Sequence, residues 1–364
     1  MIAWVIGPKS RFNTGVAKYS FELIDGLKAG CEKEIRNLYY EDGGHPNSLG
    51  RYVWQFVFLP IITLIKYNRC DYVIYQEAFA FLTLFRLFSK KKTVVIIHHV
   101  PEVRDNSLKG LYLKVIFFGL KFNTKVCYLT PSEFTKGCLS KYYGIDKDKI
   151  FEISNIIKEV VPNVYELDCA LSRDEEDFIE GILNYKNQGY KVVSNVGSFE
   201  ARKNVLILPK VIKGAENDAG NIVLVKVGVA IDENIENEFR KECHSFGIHS
   251  MIYGAASNEM ISKVYQLTDV YLAPSTYEGF GRTIIEAQAN SSVVIASDIA
   301  AHREITHGSA ILIKDIHDIE KWVVELVRIL TSERHEIDEL IVSGVANSKL
   351  FSPECVIKKL AKIL

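Results

Sequence analysis

The sequence predicts an α/β protein made of two doubly wound, Rossmann-like domains, each with a parallel sheet covered by helices on both faces. Short apolar runs alternate with segments of helical spacing, which is typical of β-α-β units. This alternation occurs twice, before and after an interruption at residues 156–190. The length of 364 residues also suits two domains better than one.

Eleven short apolar runs are interpreted as strands. They are residues 2–6, 72–75, 93–97, 126–129, 150–153, 191–196, 222–227, 250–253, 270–273, 293–296 and 310–313. The interruption contains Pro162 and an acidic run at residues 174–177, and we expect a hinge there. The predicted domains are therefore residues 1–165 and 166–349. Ligands of such sheets bind at the carboxyl ends of the strands, so two facing sheets would form an interdomain cleft.

Charge is distributed unevenly between the two halves. Residues 1–165 hold 23 Lys and Arg against 15 Asp and Glu, whereas residues 166–364 hold 21 against 30. The basic half is expected to meet an anionic partner. The chain has seven scattered cysteines without a Cys-x-x-Cys pair, which favours a reducing compartment and argues against a zinc site. We expect neither a signal peptide nor a membrane-spanning helix.

The segment 274–289, PSTYEGFGRTIIEAQA, is the most informative stretch of the chain. Gly279 and Gly281 allow the backbone to approach a ligand closely. A helix that begins near Arg282 would point unpaired N–H groups at that ligand, which favours an anion such as a diphosphate. Carboxylates beside a phosphate site are explained if they accept hydrogen bonds from hydroxyl groups. A nucleotide sugar offers both a diphosphate and hydroxyls.

Glu278 and Glu286 bracket this segment, and a pair of carboxylates also suggests glycoside hydrolysis. That chemistry needs the two groups roughly 5–9.5 Å apart. Two acids eight residues apart on one helix would be separated by about 12 Å. Because Glu278 lies on the loop, the hydrolase interpretation is weakened but stays open. Two solvated surface acids are the structural alternative.

The segment resembles the Glu-x7-Glu motif of retaining glycosyltransferases of the GT-B fold, in family 4. The matching positions are Pro274, Ser275, Glu278, Gly279, Phe280, Gly281, Glu286 and Ala287. The resemblance implies that Glu286 binds the ribose hydroxyls and that Glu278 binds the transferred sugar. It also implies that the terminal helix, residues 350–364, packs back on the N-terminal domain.

Three further segments match the same family, and they contain Gly15, His98 and the pair Arg202-Lys203. Arg202 and Lys203 follow the strand that ends before Gly197, and the resemblance implies that they hold the donor diphosphate. His98 ends another strand and is expected to hydrogen-bond the donor sugar. The catalytic residues implied are Lys203, Arg202, Glu278 and His98. The donor-binding residues implied are Gly15, Gly197, Tyr253, Gly279, Phe280, Gly281, Arg282, Thr283 and Glu286. Among them, Tyr253 is expected near the nucleobase.

No metal or other cofactor is expected. Asp146 and Asp148 have the Asp-x-Asp spacing of metal-dependent transferases, but a solvated turn explains them better because they follow Gly144 and precede a strand. The resemblance also implies metal-independent transfer. No nucleic-acid partner is expected.

Apolar-plus-basic runs at residues 52–69, 81–92 and 108–125 suit helices that lie on an anionic bilayer. Core helices with snorkelling lysines are the alternative. The expected activity is that of a retaining hexosyltransferase at the cytoplasmic face of the inner membrane. It would use a nucleotide sugar and a glycan acceptor linked to polyprenyl diphosphate, in synthesis of O-antigen, capsule or exopolysaccharide. A sugar-nucleotide epimerase, a phosphorylase and a non-catalytic nucleotide-sugar-binding partner remain alternatives.

Overall fold

The computed structural model describes residues 1–12, 15–30, 34–43, 49–67, 69–86, 91–98, 100, 111, 114–116, 120, 125–157 and 171–364. The chain forms two compact units. The first contains residues 1–156 and 353–364, and the second contains residues 157–352. The boundary predicted at residues 165/166 lies outside the described residues.

Each unit is built on one parallel sheet of six described strands. The strands are β1 (Ile2–Pro8), β2 (Ile35–Tyr40), β3 (Tyr72–Gln76), β4 (Lys92–Ile96), β5 (Val126–Thr130), β6 (Ile150–Glu152), β7 (Lys191–Val196), β8 (Ile222–Val227), β9 (His249–Tyr253), β10 (Val270–Ala273), β11 (Val293–Ser297) and β12 (Ile311–Ile313).

The described α-helices connect and cover these strands. They are α1 (Gly15–Gly30), α2 (Leu49–Val53), α3 (Leu59–Ile65), α4 (Glu133–Tyr143), α5 (Arg173–Asn187), α6 (Ile207–Ala219), α7 (Glu233–Phe246), α8 (Asn258–Leu267), α9 (Arg282–Ala289), α10 (Ala300–Thr306), α11 (Ile319–Thr331), α12 (Arg334–Ser348) and α13 (Pro353–Ala361). A π-helical turn, Trp54–Phe58, joins α2 to α3. Within the described ranges, no helix combines the length and the apolar composition that crossing a bilayer requires.

The strand orders place one switch point in each sheet. The first sheet runs β2-β1-β3-β4-β5-β6. Its strands are parallel, but the side on which successive strands are added changes between β1 and β3. The second runs β12-β11-β10-β7-β8-β9, and the same change occurs between β7 and β10. Connections leave the sheet on opposite faces at such a point, which opens a crevice at the carboxyl ends of the two strands. The predicted doubly wound architecture is confirmed for both units.

The eleven predicted strands are confirmed to within two residues at each end, but the prediction missed β2. This strand lies at the edge of the first sheet, and only Leu38 among its six residues is buried. Its sequence, IRNLYY, therefore lacks the continuous apolar run that marks a strand buried on both faces.

Both faces of the second sheet are packed. In β8, Val223, Val225 and Val227 belong to one apolar cluster, while Ile222 and Leu224 belong to the cluster on the opposite face. All six residues of β8 are buried, including Lys226, whose charged side chain interrupts an otherwise apolar strand.

The terminal helix α13 belongs to the first unit. Val356 and Leu360 are fully buried in the same cluster as Leu23 and Leu27 of α1. The side chain of Ile357 lies beside Gly26, where an added Cβ would approach it to 2.5 Å. Close packing of the two helices therefore depends on a residue without a side chain at position 26.

Three loops at the carboxyl edge of the second sheet are joined by main-chain hydrogen bonds. The Gly197 N–H donates to the carbonyl of Val227 at 2.9 Å, and the Gly228 N–H donates to the carbonyl of Tyr253 at 2.9 Å. Gly228 has φ +149°, and a Cβ there would lie 1.8 Å from the carbonyl oxygen of Gly197. Only glycine allows the loops after β7 and β8 to approach this closely.

We expect Gly228→Ala to lower the free energy of unfolding by about 4 kcal/mol or more, because the new methyl group overlaps a main-chain carbonyl. Gly220→Ala is the matched control, since Gly220 also has a positive φ of +80° but has nothing within 4 Å of the added Cβ. The control should lose only about 1–2 kcal/mol from backbone strain. Urea unfolding measures both variants, and equal losses would contradict the steric argument.

Candidate functional site

The predicted site residues of the second unit, apart from Tyr253 at the end of β9, lie on the two segments that meet at its switch point. Strand β7 is followed by Gly197 and leads to a 3₁₀ turn, Ala201–Lys203. Strand β10 leads into the loop of residues 274–281, which ends at the start of α9. The turn and the loop are tied together because the Thr276 N–H donates to the carbonyl of Arg202 at 2.8 Å.

Glu278 is the centre of this arrangement. Its Oε1 accepts hydrogen bonds from Lys203 Nζ at 2.5 Å and from Ser275 Oγ at 2.9 Å, and its Oε2 accepts from Arg202 Nη1 at 2.8 Å. Burial alone would favour the protonated acid, but the charges of Lys203 and Arg202 outweigh it and lower the pKa of Glu278 to about 2. Glu278 is therefore ionised at every physiological pH.

Arg202 lies between two carboxylates. Its Nη2 donates to Glu200 Oε1 at 2.8 Å, while Nη1 donates to Glu278. The Arg202 side chain is nevertheless 37% exposed and that of Lys203 is 17% exposed. Both cations therefore reach the surface at the carboxyl edge of the sheet, held in place by anions behind them. An anion with several oxygen atoms, such as a diphosphate, can bind to their exposed sides.

Gly197 leaves room for the Lys203 side chain to reach Glu278. The residue has φ +153°, and an added Cβ would lie 3.7–3.9 Å from the last two carbons and the ammonium of Lys203. The lysine side chain thus passes directly over the Gly197 main chain.

Helix α9 begins at Arg282, as the sequence predicts. Its N-cap, Gly281, has φ +100° and offers no side-chain hydrogen bond to the first turn, which also contains no acidic residue. An added Cβ at Gly281 would lie 2.9 Å from Ile305 and 3.1 Å from His302. The first turn therefore presents a partial positive charge next to Glu278 without a side-chain cap.

Glu286 lies one turn into α9 and is oriented by two neighbours. Its Oε1 accepts from Arg282 Nε at 2.6 Å, and its Oε2 accepts from the Tyr265 hydroxyl at 3.4 Å. Burial raises the pKa of Tyr265 well above its ordinary value, so this hydroxyl keeps its proton. Glu286 and Glu278 thus have separate sets of hydrogen-bond partners.

Three further predicted residues have defined places. Phe280 is buried and packs edge to face on Phe351 with ring centroids 5.5 Å apart, so only its main chain can approach a ligand. Thr283 forms a side-chain hydrogen bond with Tyr271. Tyr253 ends β9 and is partly exposed.

Two predicted residues belong to the first unit. His98 follows β4 and is buried, its main-chain N–H donates to Glu77 Oε2 at 3.0 Å, and its ring packs edge to face on Tyr19. Gly15 is the first residue of α1 and is exposed, with nothing within 4 Å of an added Cβ. Residues 13 and 14, which precede α1, lie outside the described residues.

Sequence reasoning did not assign site roles to Ser275, Glu200 and Lys226. Ser275 belongs to the matched motif, and Glu200 precedes the basic pair by two residues. Both were therefore close in sequence to residues that had been assigned to the site. The signal for Lys226 was stronger, because it is a lone cation inside the apolar run IVLVKV.

Parts of the chain are similar to known glycosyltransferases. Residues 181–340 match the family model of glycosyl transferases group 1. The chain is 27% identical over 254 residues to the O-antigen chain mannosyltransferase RfbU of Salmonella typhimurium, covering 65% of this chain and 64% of that protein. It is 24% identical over 274 residues to a UDP-Gal:alpha-D-GlcNAc-diphosphoundecaprenol alpha-1,3-galactosyltransferase of Escherichia coli, covering 72% of this chain and 64% of that protein.

The fold is also that of solved glycosyltransferase structures. HepE from Anabaena, whose structure contains UDP and glucose, superimposes with a TM-score of 0.75 at 14% sequence identity, covering 100% of this chain and 99% of that one. Its likeness extends over both units. The match over residues 181–340 makes the second unit similar to the group 1 glycosyltransferases, and the two Rossmann-like sheets give the chain the GT-B fold.

Proposed function

We propose that this protein transfers a sugar from a nucleotide-diphosphate sugar to a glycan acceptor and retains the anomeric configuration. The observation that carries the proposal is the Lys203–Glu278–Arg202 network at the switch point between β7 and β10. Two cations on an anionic support, next to the first turn of α9, form a site suited to a diphosphate. HepE was solved with UDP, which supports a nucleoside diphosphate as the leaving group.

The chemistry follows from the charges. The bond between the anomeric carbon and the diphosphate oxygen breaks, and the acceptor hydroxyl oxygen forms the new bond to that carbon. Lys203, Arg202 and the α9 dipole offset the negative charge that builds on the leaving diphosphate. The acceptor attacks on the face that the diphosphate leaves, which gives retention, and its hydroxyl proton passes to a diphosphate oxygen on that face. Because these groups already supply positive charge, we propose that transfer needs no metal.

The two glutamates have different roles in this proposal. Glu278 is ionised and accepts hydrogen bonds from two cations and a serine, so it cannot donate a proton as a glycosidase acid would. It holds the cations and accepts a hydrogen bond from the transferred sugar. Glu286, oriented by Arg282 and Tyr265, accepts hydrogen bonds from the ribose hydroxyls. Gly15 and His98 of the first unit are assigned to the donor by resemblance alone.

The proposed acceptor is a glycan linked to polyprenyl diphosphate in the synthesis of a surface polysaccharide. Two relatives support this assignment through their names, one an O-antigen chain mannosyltransferase and the other a galactosyltransferase acting on a diphosphoundecaprenol-linked sugar. Synthesis on such a carrier brings the enzyme to a membrane surface. The five described cysteines are all free, which fits a reducing compartment and the cytoplasmic face of the inner membrane.

The helical segment of residues 49–65 supports contact with that surface. Its buried face carries the polar side chains of Gln55 and Thr63, whereas its outer face exposes Phe58 at 54% and Ile65 at 76%. Further large apolar side chains of the segment are also exposed, namely Leu49, Tyr52, Val53, Phe56, Val57, Ile61 and Leu64. A surface that exposes this many neighbouring apolar groups is typical of a binding face.

Basic residues near this face favour an anionic bilayer. Arg51 lies at one end of the segment, with its guanidinium 4.5 Å from the ring centroid of Tyr52, and Lys66 follows the other end. Exposed aromatic and aliphatic groups flanked by cations bind at the headgroup boundary of acidic lipids. The runs predicted at residues 81–92 and 108–125 lie partly outside the described residues.

We expect Lys203→Ala to lower the transfer rate at least about 100-fold, because the leaving diphosphate loses its closest cation. Arg202 and Ser275 still bind Glu278 in this variant, so the protein should remain folded by circular dichroism. Lys213→Ala, at an exposed ion pair with Glu216, is the matched control. The assay measures acceptor-dependent release of nucleoside diphosphate in the presence of EDTA.

Undiminished turnover of the Lys203 variant would contradict the assigned role. If wild-type protein converts the nucleotide sugar without any acceptor, it is an epimerase rather than a transferase. If it binds the nucleotide sugar but never turns over, it is a binding partner.

The roles of the two glutamates should be distinguishable when transfer and nucleotide binding are measured separately. Glu286→Ala is expected to reduce both transfer and the thermal shift caused by nucleoside diphosphate, because the ribose contact is lost. Glu278→Gln should impair transfer about tenfold or more while the thermal shift remains. UDP, GDP, ADP and dTDP are the probes, and identical behaviour of the two variants would refute the division of roles.

Membrane binding is tested by co-sedimentation with vesicles of anionic or neutral lipid. The double variant Phe58→Asp, Ile61→Asp is expected to lose most of its binding to anionic vesicles, because two exposed apolar side chains that would insert into the lipid become charged. Val324→Asp changes an exposed valine of the second unit and serves as the control. Equal binding of both variants would exclude residues 49–65 as the contact.

A further inference from the structure

We propose that Lys226 is a positioning residue of the diphosphate site, which holds the Gly197 main chain beneath Lys203 and is protonated when a diphosphate binds. This inference rests on the proposed function. It concerns a side chain that lies one strand away from the residues of the matched motifs.

Lys226 lies next to the turn after β7, where its ammonium binds the main chain of Gly197. Its ammonium donates hydrogen bonds to the carbonyl oxygens of Gly197 and, at 3.2 Å, of Val227. It also lies 4.5 Å from the ring centroid of Phe199, at cation–π distance. Lys203 passes over the same Gly197 at 3.7 Å from the position of a Cβ. Gly197 is thus held between two lysine side chains.

This arrangement is costly for stability alone. Lys226 is 0% exposed and occupies a position of β8 on the same face as the buried side chains of Ile222 and Leu224. An apolar residue of similar length would fill that place without desolvating a charge, and such replacements are often neutral or stabilising. A buried cation at this edge of the sheet is therefore better explained by its attraction for a bound diphosphate.

The surroundings of Lys226 make its charge sensitive to a bound anion. Burial first, and then repulsion by Lys203 from the turn after β7, lower the pKa of Lys226 to about 7, while Glu236 from α7 opposes the change. A diphosphate bound at Lys203 adds negative charge close by and raises the pKa again. Binding at pH 8 therefore draws a proton from the buffer onto Lys226.

The sign of the pH dependence follows. Below pH 7 the amine is already protonated, so the charge is present before the ligand arrives. As the pH rises above 7, the proton must be taken up during binding, and the affinity for diphosphate falls. A rise of one unit in the pKa of Lys226 corresponds to about a fivefold fall in affinity between pH 7 and pH 9, because the amine is already half deprotonated at pH 7.

The test is calorimetric titration of wild type and Lys226→Met with UDP, GDP, ADP and dTDP, using the nucleotide that binds. Measurements at pH 8 in HEPES and in Tris, which differ in ionisation enthalpy, give the number of protons taken up. At pH 8 wild type is expected to take up a fraction of a proton per nucleotide bound, and its affinity should fall about fivefold from pH 7 to pH 9. Lys226→Met should take up none and show a flat profile over that range.

Lys186→Met is the matched control, because Lys186 donates to the carbonyl of Leu267 and pairs with Asp269 before β10, at the opposite edge of the same sheet. It should keep the wild-type proton uptake and pH profile. A purely structural role of Lys226 would shift the melting temperature without changing these two quantities.

The outcomes are distinguishable. If none of the four nucleotides binds to wild type, the proposed function fails. If one binds without proton uptake at pH 8, the inference about Lys226 is overturned while the function stands, and this holds even if Lys226→Met does not fold. Proton uptake that persists unchanged in a folded Lys226→Met also overturns it.

Discussion

The site depends on one physical constraint, which is that two neighbouring cations must be held side by side at a sheet edge without repelling each other apart. Glu278 meets this requirement by accepting from Lys203 and Arg202 on its two oxygen atoms, and Glu200 binds Arg202 from the other side. Everything else at the switch point places this carboxylate. Ser275 orients it, and Thr276 ties its loop to the turn that carries the cations.

The same constraint explains why glycine residues occur where they do. Lys203 can reach Glu278 only by crossing the main chain after β7, and Gly197 leaves room for that crossing. Gly228 lets the neighbouring loop approach the carbonyl of Gly197, which brings Lys226 to its hydrogen-bonding position. The positive φ angles of these residues are thus consequences of packing cations and carbonyls at one edge, and they would be costly for residues with side chains.

The sequence predicted the location of the site better than its contacts. Apolar periodicity located β7 and β10, so Lys203 and Glu278 were expected at the same sheet edge. It could not show that they touch, because 75 residues separate them and spacing alone does not determine tertiary contacts. Phe280 matched the motif as a donor contact, yet its ring is buried on Phe351. Strand β2 was missed because an edge strand with one buried residue lacks the apolar signal.

The main-chain hydrogen bonds that join the three loops have a mechanical consequence. Tyr253 ends β9 and accepts from Gly228, and Val227 accepts from Gly197. With Tyr253 beside the nucleobase, as the resemblance implies, a displacement at the base is passed along this short chain to the main chain under Lys203. Base discrimination would then operate by alignment of the ammonium with the departing phosphate, so a poorly fitting nucleotide would bind and yet react slowly.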